Sequence, residues 1–158
     1  MSVRAVINCP GCGKEIQIYK SPAPTVDVVL FDDERGILLI ERRFEPLGWA
    51  LPGGFVDYAE QLDHCAVREM KEETGLEVTV KSLVGVYSNP VRDPRRHTIT
   101  TVFWCECSDL GKLQAGDDAG KAQFFQLNEL PENIVFDHRT IIDDFLKIYR
   151  EGANAAWR

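Results

Sequence analysis

The stretch from residue 54 to residue 76, GFVDYAEQLDHCAVREMKEETGL, constrains this chain more than any other. Its apolar spacing predicts a helix over 61–74, and Gly75 stands where a left-handed C-cap ends one. Take a wheel of ~100° per residue with Glu69 at zero: Glu73 falls at about 40° and Glu72 at about −60°. Leu62, Cys65 and Ala66 lie in or beside that sector, one to two turns earlier. The acids therefore continue the core-facing direction and reach the rim of whatever the helix packs on. Without a cation this is unfavourable. Glu69 and Glu73 repel at i,i+4, and acids in the last turns meet the negative end of the helix dipole. A divalent ion removes both penalties, and Mg²⁺ takes carboxylates, water and substrate phosphate as ligands. Arg68 precedes Glu72 by one turn, the less favourable order for a pair. It is expected to reach outward instead, to Glu60 just ahead of the helix.

The acidic excess is general: 18 Lys and Arg stand against 25 Asp and Glu in 158 residues, a net charge of −7. That disfavours a nucleic-acid partner. No run approaches the roughly 18 apolar residues of a membrane span, so no membrane partner is expected and the location expected is cytoplasmic. The length suits one domain. Strands are expected over 26–31, 36–43, 49–51, 78–87, 98–107 and 121–127, with a final amphipathic helix over 137–150 capped by Asp137. Strands, helix, strands, helix is an α/β order that buries both faces of a mixed sheet. The organisation expected is a short head and linker over 1–23, a main domain over 24–150 and a flexible tail over 151–158.

Five cysteines are present. Cys9 and Cys12 form a Cys-Pro-Gly-Cys turn that suits half of a zinc ribbon. A closed Zn²⁺ site needs about four ligands, and Cys65, Cys105 and Cys107 fall in a predicted helix and strand. The expected state is a reduced turn, with Zn²⁺ at Cys9 and Cys12 as the alternative.

The helix also carries a motif. Gly54, Glu60, Arg68, Glu69, Met70, Glu72, Glu73, Gly75 and Leu76 fill every fixed position of the Nudix box, G-x5-E-x7-R-E-U-x-E-E-x-G-U with U bulky and apolar. The chain resembles the Nudix hydrolases from about residue 24 to residue 150. The resemblance implies an α/β/α sandwich with a mixed sheet, and Mg²⁺- or Mn²⁺-dependent hydrolysis of a nucleoside diphosphate derivative. It further implies that Glu69, Glu72, Glu73 and the Gly53 carbonyl surround the metal, with Glu60 and Arg68 supporting them. Gly53 and Gly54 let the backbone approach the diphosphate. The general base comes from the box or from a later loop, where Asp118 is the first candidate and Asp93 the second.

Within that family, Val86-Tyr87-Ser88-Asn89-Pro90, the run Arg92 to His97, the loop at 116–119 and Phe136-Asp137-His138 resemble the ADP-ribose pyrophosphatases. Arg92, Arg95 and Arg96 are a basic cluster suited to phosphate. Arg42 ends a strand where it can touch the diphosphate, and Arg43 alternates to the other side. Tyr87, Phe44 or Trp49 are candidates to stack on a base; His97 and His138 are read as polar loop and cap residues. The expected activity is conversion of ADP-ribose to AMP and ribose 5-phosphate. The alternatives are an oxidised-nucleotide pyrophosphohydrolase, an NADH pyrophosphatase, and a non-enzymatic nucleotide-sensing module. A homodimer is expected from the resemblance alone.

Overall fold

The computed structural model describes residues 4–116 and 119–158. A hairpin opens the chain: β1 (Arg4–Asn8) pairs antiparallel with β2 (Glu15–Tyr19) and with no other strand. The main sheet begins with β3 (Ala23–Asp32) and β4 (Gly36–Arg42), then β5 (Trp49–Ala50) and β6 (Gly53–Phe55). Helix α1 (Leu62–Thr74) follows, then β7 (Thr79–Tyr87), β8 (Thr98–Glu106) and β9 (Ala119–Phe125). Helix α2 (His138–Glu151) and β10 (Ala156–Trp157) close the chain. The sheet order is β10-β7-β8-β3-β4-β5, with β6 beside β3 and β9 beside β4. It is mixed: β3 runs parallel to β8, whereas β7 with β8 and β4 with β9 are antiparallel.

Strand β3 shows why the sheet takes a helix on each face. Its side chains alternate. Val26, Val28 and Leu30 pack with Leu38 against Cys65, Ala66 and Met70 of α1. Val29 packs with Ile37 and Leu39 against Ile141, Ile142 and Phe145 of α2. The result is an α/β/α sandwich. Helix α1 ends where its sequence predicts, with Gly75 left-handed at φ 70°. Its last carbonyls are also met by the loop ahead of β9: the Gln114 N–H donates to Thr74 O and the Gly116 N–H to Glu73 O, both at 2.9 Å. No described helix is long and apolar enough to cross a membrane.

Two expectations need correction. Asp137 stands at the N-cap of α2 but makes no side-chain cap, because Arg92 takes both of its oxygens. The tail over 151–158 does not fray along its length. Ala156 and Trp157 add a parallel edge strand to β7, and the Arg158 guanidinium clamps Asp144 of α2 at 2.7 and 2.9 Å. A charge-assisted pair therefore supplies the order that local propensity does not.

Candidate active site

A cavity of about 410 Å³ is lined by the end of β4, by β6 and by α1. One wall is α1. Glu73 is 9% exposed, and its Oε2 accepts the Gly53 N–H at 2.8 Å. Burial pushes its carboxyl up to about 8 against that hydrogen bond, and the charges of Glu69 and Asp27 add to the rise. Burial also raises Glu69, outweighing the Arg68 guanidinium beside it. Glu72 is exposed at the rim.

Arg68 holds these acids in place. Its Nε and Nη2 grip the two Glu60 oxygens at 2.7 and 2.8 Å, as the sequence predicts. Its Nη1 also reaches Glu69 at 2.8 Å and Glu72 at 3.1 Å, so the in-helix pair forms despite its unfavourable order. The Arg68 hydrogen bonds, followed by the Asp57 N–H, bring the Glu60 carboxyl down to about 2. In turn, burial and Glu60 push the Cys65 thiol up to about 12, so it stays protonated.

The two glycines of β6 are each required. Gly53 has φ 152°, and a Cβ there would lie 2.1 Å from Val26 O. A Cβ on Gly54 would lie 2.4 Å from the Glu69 carboxylate. Gly54→Ala is therefore expected to swing Glu69 out of position. Divalent-metal affinity should drop about 10–100-fold, while thermal denaturation stays near wild type. Unchanged metal dependence of turnover would refute this role for Gly54.

The opposite wall is cationic. Arg42 lies 5.0 Å above the Phe136 ring and Arg95 5.4 Å above it. Burial, then the nearby Arg95 charge, lowers the proton affinity of Arg42. Two cations thus meet at one aromatic ring. Phe136 itself adopts φ 59°, a strained conformation for a bulky residue. Phe44 lines the same cavity, and Arg43 does too, not the far side. The bulge after Glu41 breaks the strand alternation that would have separated it from Arg42.

Between the walls sits Asp27. It is 7% exposed in an otherwise apolar strand. It accepts from Thr100 Oγ1 at 2.7 Å and from Arg92 at 3.4 Å, and His138 Nε2 lies 3.5 Å away. Burial works to raise its carboxyl, and His138, Arg92 and Thr100 together hold it below the ordinary value. The Leu51 N–H donates to His138 Nδ1 at 2.8 Å, which places the ring proton on Nε2, toward Asp27. His138 is thus a buried cavity-lining residue, not a surface cap. Sequence reasoning missed Asp27. The signal was a lone acid inside Val26-Asp27-Val28-Val29, since a buried acid needs partners.

Several expected substrate contacts lie elsewhere. Tyr87 is 1% exposed, packs in the α2-side core and donates to Asp144 at 3.2 Å, so it does not stack on a ligand. Trp49 packs edge-on to Phe125. Arg92 touches the cavity but is buried and committed to Asp137, Asp27 and Thr98. Arg96 lies outside the cavity lining, 5.0 Å above the Phe55 ring. Asp93 is tied to Arg95 through both oxygens, which weakens it as a base. Asp117 and Asp118 lie outside the described residues. Their neighbour Gly116 packs on α1 so closely that a Cβ there would lie 1.7 Å from Glu72 O.

Among the described residues, no three His, Cys, Asp or Glu side chains are gathered into a ready-made metal cage. The donor set still suits a hard divalent cation. Glu73 is buried without a cation partner among the described residues, Glu69 is half-buried and shares Arg68 with Glu60 and Glu72, and Glu72 is exposed beside them. Mg²⁺-like ions complete their shells with water and substrate phosphate.

Comparison with known proteins agrees with this geometry. The NUDIX domain model matches residues 21–145. The chain is 49% identical over 136 residues to the ADP-ribose pyrophosphatase of Methanocaldococcus jannaschii, covering 85% of this chain and 79% of that protein. It resembles the NUDIX domain of Shewanella oneidensis NrtR solved with ADP ribose, with TM-score 0.69 and 26% identity over 82% of this chain and 90% of that one. It also resembles a bifunctional NMN adenylyltransferase/ADP ribose pyrophosphatase from Francisella tularensis, complexed with AMP and Mn ion. There the TM-score is 0.70 and the identity 28%, over 81% of this chain and 42% of that one.

Proposed function

The chain belongs to the Nudix family, and from that premise we propose that it hydrolyses ADP-ribose to AMP and ribose 5-phosphate, with Mg²⁺ or Mn²⁺ as the cofactor. One observation carries the reading: a single cavity is lined both by Glu69, Glu72 and Glu73 of α1 and by Arg42 and Arg95. A diphosphate flanked by two sugars fits such a lining, and a bound divalent cation reconciles it with an acidic protein. The 49% identity to an ADP-ribose pyrophosphatase supports the choice of substrate.

Glu69, Glu72, Glu73 and the Gly53 carbonyl would hold the metal, with Glu60 and Arg68 fixing their orientation. When bound, a divalent ion polarises phosphoryl oxygens and acidifies water. The protein's own groups do the rest. Arg42 and Arg95 bind diphosphate oxygens and neutralise charge that grows on the leaving phosphate. Phe136 holds the two guanidiniums at a fixed spacing. Gly54 lets the diphosphate approach the backbone. A water oxygen bonds to one phosphorus as the bridging P–O bond breaks, and a carboxylate takes the water's proton. Glu72 is the exposed acid of the set. Asp118 is the second candidate, since Gly116 of its loop packs on Glu72.

A substrate panel tests the assignment. ADP-ribose, NADH and 8-oxo-dGTP are compared with each metal, with product identification. ADP-ribose should lead in kcat/KM by about tenfold or more and yield AMP. Preference for the oxidised nucleotide or the dinucleotide would overturn the substrate. All five cysteines are free thiols, which supports a reducing, cytoplasmic setting.

A further inference from the structure

The N-terminal hairpin takes no part in the cavity. Its turn is Cys9-Pro10-Gly11-Cys12-Gly13, closed by the Cys9 N–H to Lys14 O and the Gly13 N–H to Cys9 O, both at 2.8 Å. The turn brings Gly11 over Cys9, so that a Cβ there would lie 4.0 Å from Cys9 Sγ, and the Gly11 and Cys12 N–H groups and the Cys12 thiol hydrogen-bond to that sulfur. The two sulfurs converge beside oriented backbone dipoles. That is the preparation a metal thiolate pair needs.

Two ligands do not close a zinc site. The other three cysteines cannot supply the rest. Cys65 and Cys105 are fully buried in the α1-side core, and Cys107 packs against that same core. Of the three histidines, His97 is bonded to Ser88 O and His138 to the Leu51 N–H, and His64 sits on α1 in the main domain.

The hairpin carries a second unfilled requirement. Ala5 lies opposite Ile18 and Ile7 opposite Ile16, so these four side chains share one face. Ile7 is 44% exposed, Ile16 40% and Ile18 36%. A lone two-stranded hairpin with an uncovered apolar face is marginal in water. A second copy of this chain answers both needs at once. A twofold axis along the hairpins doubles the two thiolates to four and brings the two apolar faces together.

We propose that two copies of this chain share one Zn²⁺, held by Cys9 and Cys12 of each, with the Ile7, Ile16 and Ile18 faces packed beside it. The metal is structural: four thiolates leave no open position for substrate. The site is separate from the hydrolytic cavity.

The full-length protein is purified without chelator, and its zinc content and mass are measured together. The proposal expects one Zn²⁺ per two chains. It also expects the mass to halve when zinc is stripped and to be restored by zinc alone. Cys9→Ser combined with Cys12→Ser should bind no zinc and stay at the lower mass, while ADP-ribose turnover with added Mg²⁺ is unchanged. That activity reports the folding of the remaining domain. Three results would each overturn the proposal: no zinc, one zinc per chain, or a mass indifferent to zinc.

Discussion

Glu73→Gln is expected to remove most turnover while flattening the pH dependence of stability. Its carboxylate is one of the proposed metal ligands, and losing that charge at the reacting centre should lower kcat by about 10²–10³. Stability should respond differently. Without metal, burial and the acids around it push Glu73 up to about 8, against an ordinary value of 4.5. Between those pH values the folded protein keeps a proton that the unfolded chain has released. Stability is therefore full below about pH 4.5 and falls as pH rises through 8, by a few kcal/mol. Glutamine copies the protonated acid, since its oxygen can still accept the Gly53 N–H. In chelator, urea denaturation at pH 5 and pH 8.5 should show a drop for wild type and a much smaller one for the variant. Parallel drops, or full activity, would refute the assignment of Glu73 as a buried metal ligand.

The contrast between α1 and its surroundings shows what a sequence of this kind reveals. The carboxylate sector, the Gly75 stop and the Glu60–Arg68 pair all lie within 16 residues of one another, and short-range geometry governs each. The box motif adds chemical meaning to the same stretch. Arg92, Arg95 and Arg96 are just as close in sequence, yet they diverge. Arg92 is drawn inward by Asp27 and Asp137, which are 65 and 45 residues away. Arg95 turns to Asp93 and the Phe136 ring, and Arg96 to the Phe55 ring. Tyr87 is settled the same way, by Asp144 across the core. Apart from the local Asp93–Arg95 pair, long-range partners decide these side chains, and no local pattern encodes them. Only Asp27 left a local trace, as an acid in an apolar strand.

Arg92→Met follows from that network and should be the largest stability loss at a position outside the apolar core. The guanidinium donates to Asp137 at 2.7 and 2.9 Å and to Thr98 Oγ1 at 3.0 Å, and it pairs with Asp27 at 3.4 Å. Its side chain is 4% exposed. Methionine fills much of the volume but leaves Asp27 and Asp137 without their cation. Removing one partner of a buried ionic group costs about 3–5 kcal/mol, or about 6–20 °C in Tm for a domain of this size. Because Arg92 and Asp27 are largely buried, salt should screen the loss only weakly. Arg95→Ala provides the contrast. That side chain is 41% exposed but its partner Asp93 only 4%, and Asp93 keeps the residue-95 backbone N–H. Stability should therefore fall by about 1–3 kcal/mol, less than for Arg92→Met, while KM for ADP-ribose rises. The two arginines, three positions apart, then separate by readout, one as a strut that holds Asp27 and α2 together and the other as a hand on the diphosphate. An Arg92→Met protein within about 1 kcal/mol of wild type would show that His138 and Thr100 alone can carry the buried Asp27 charge.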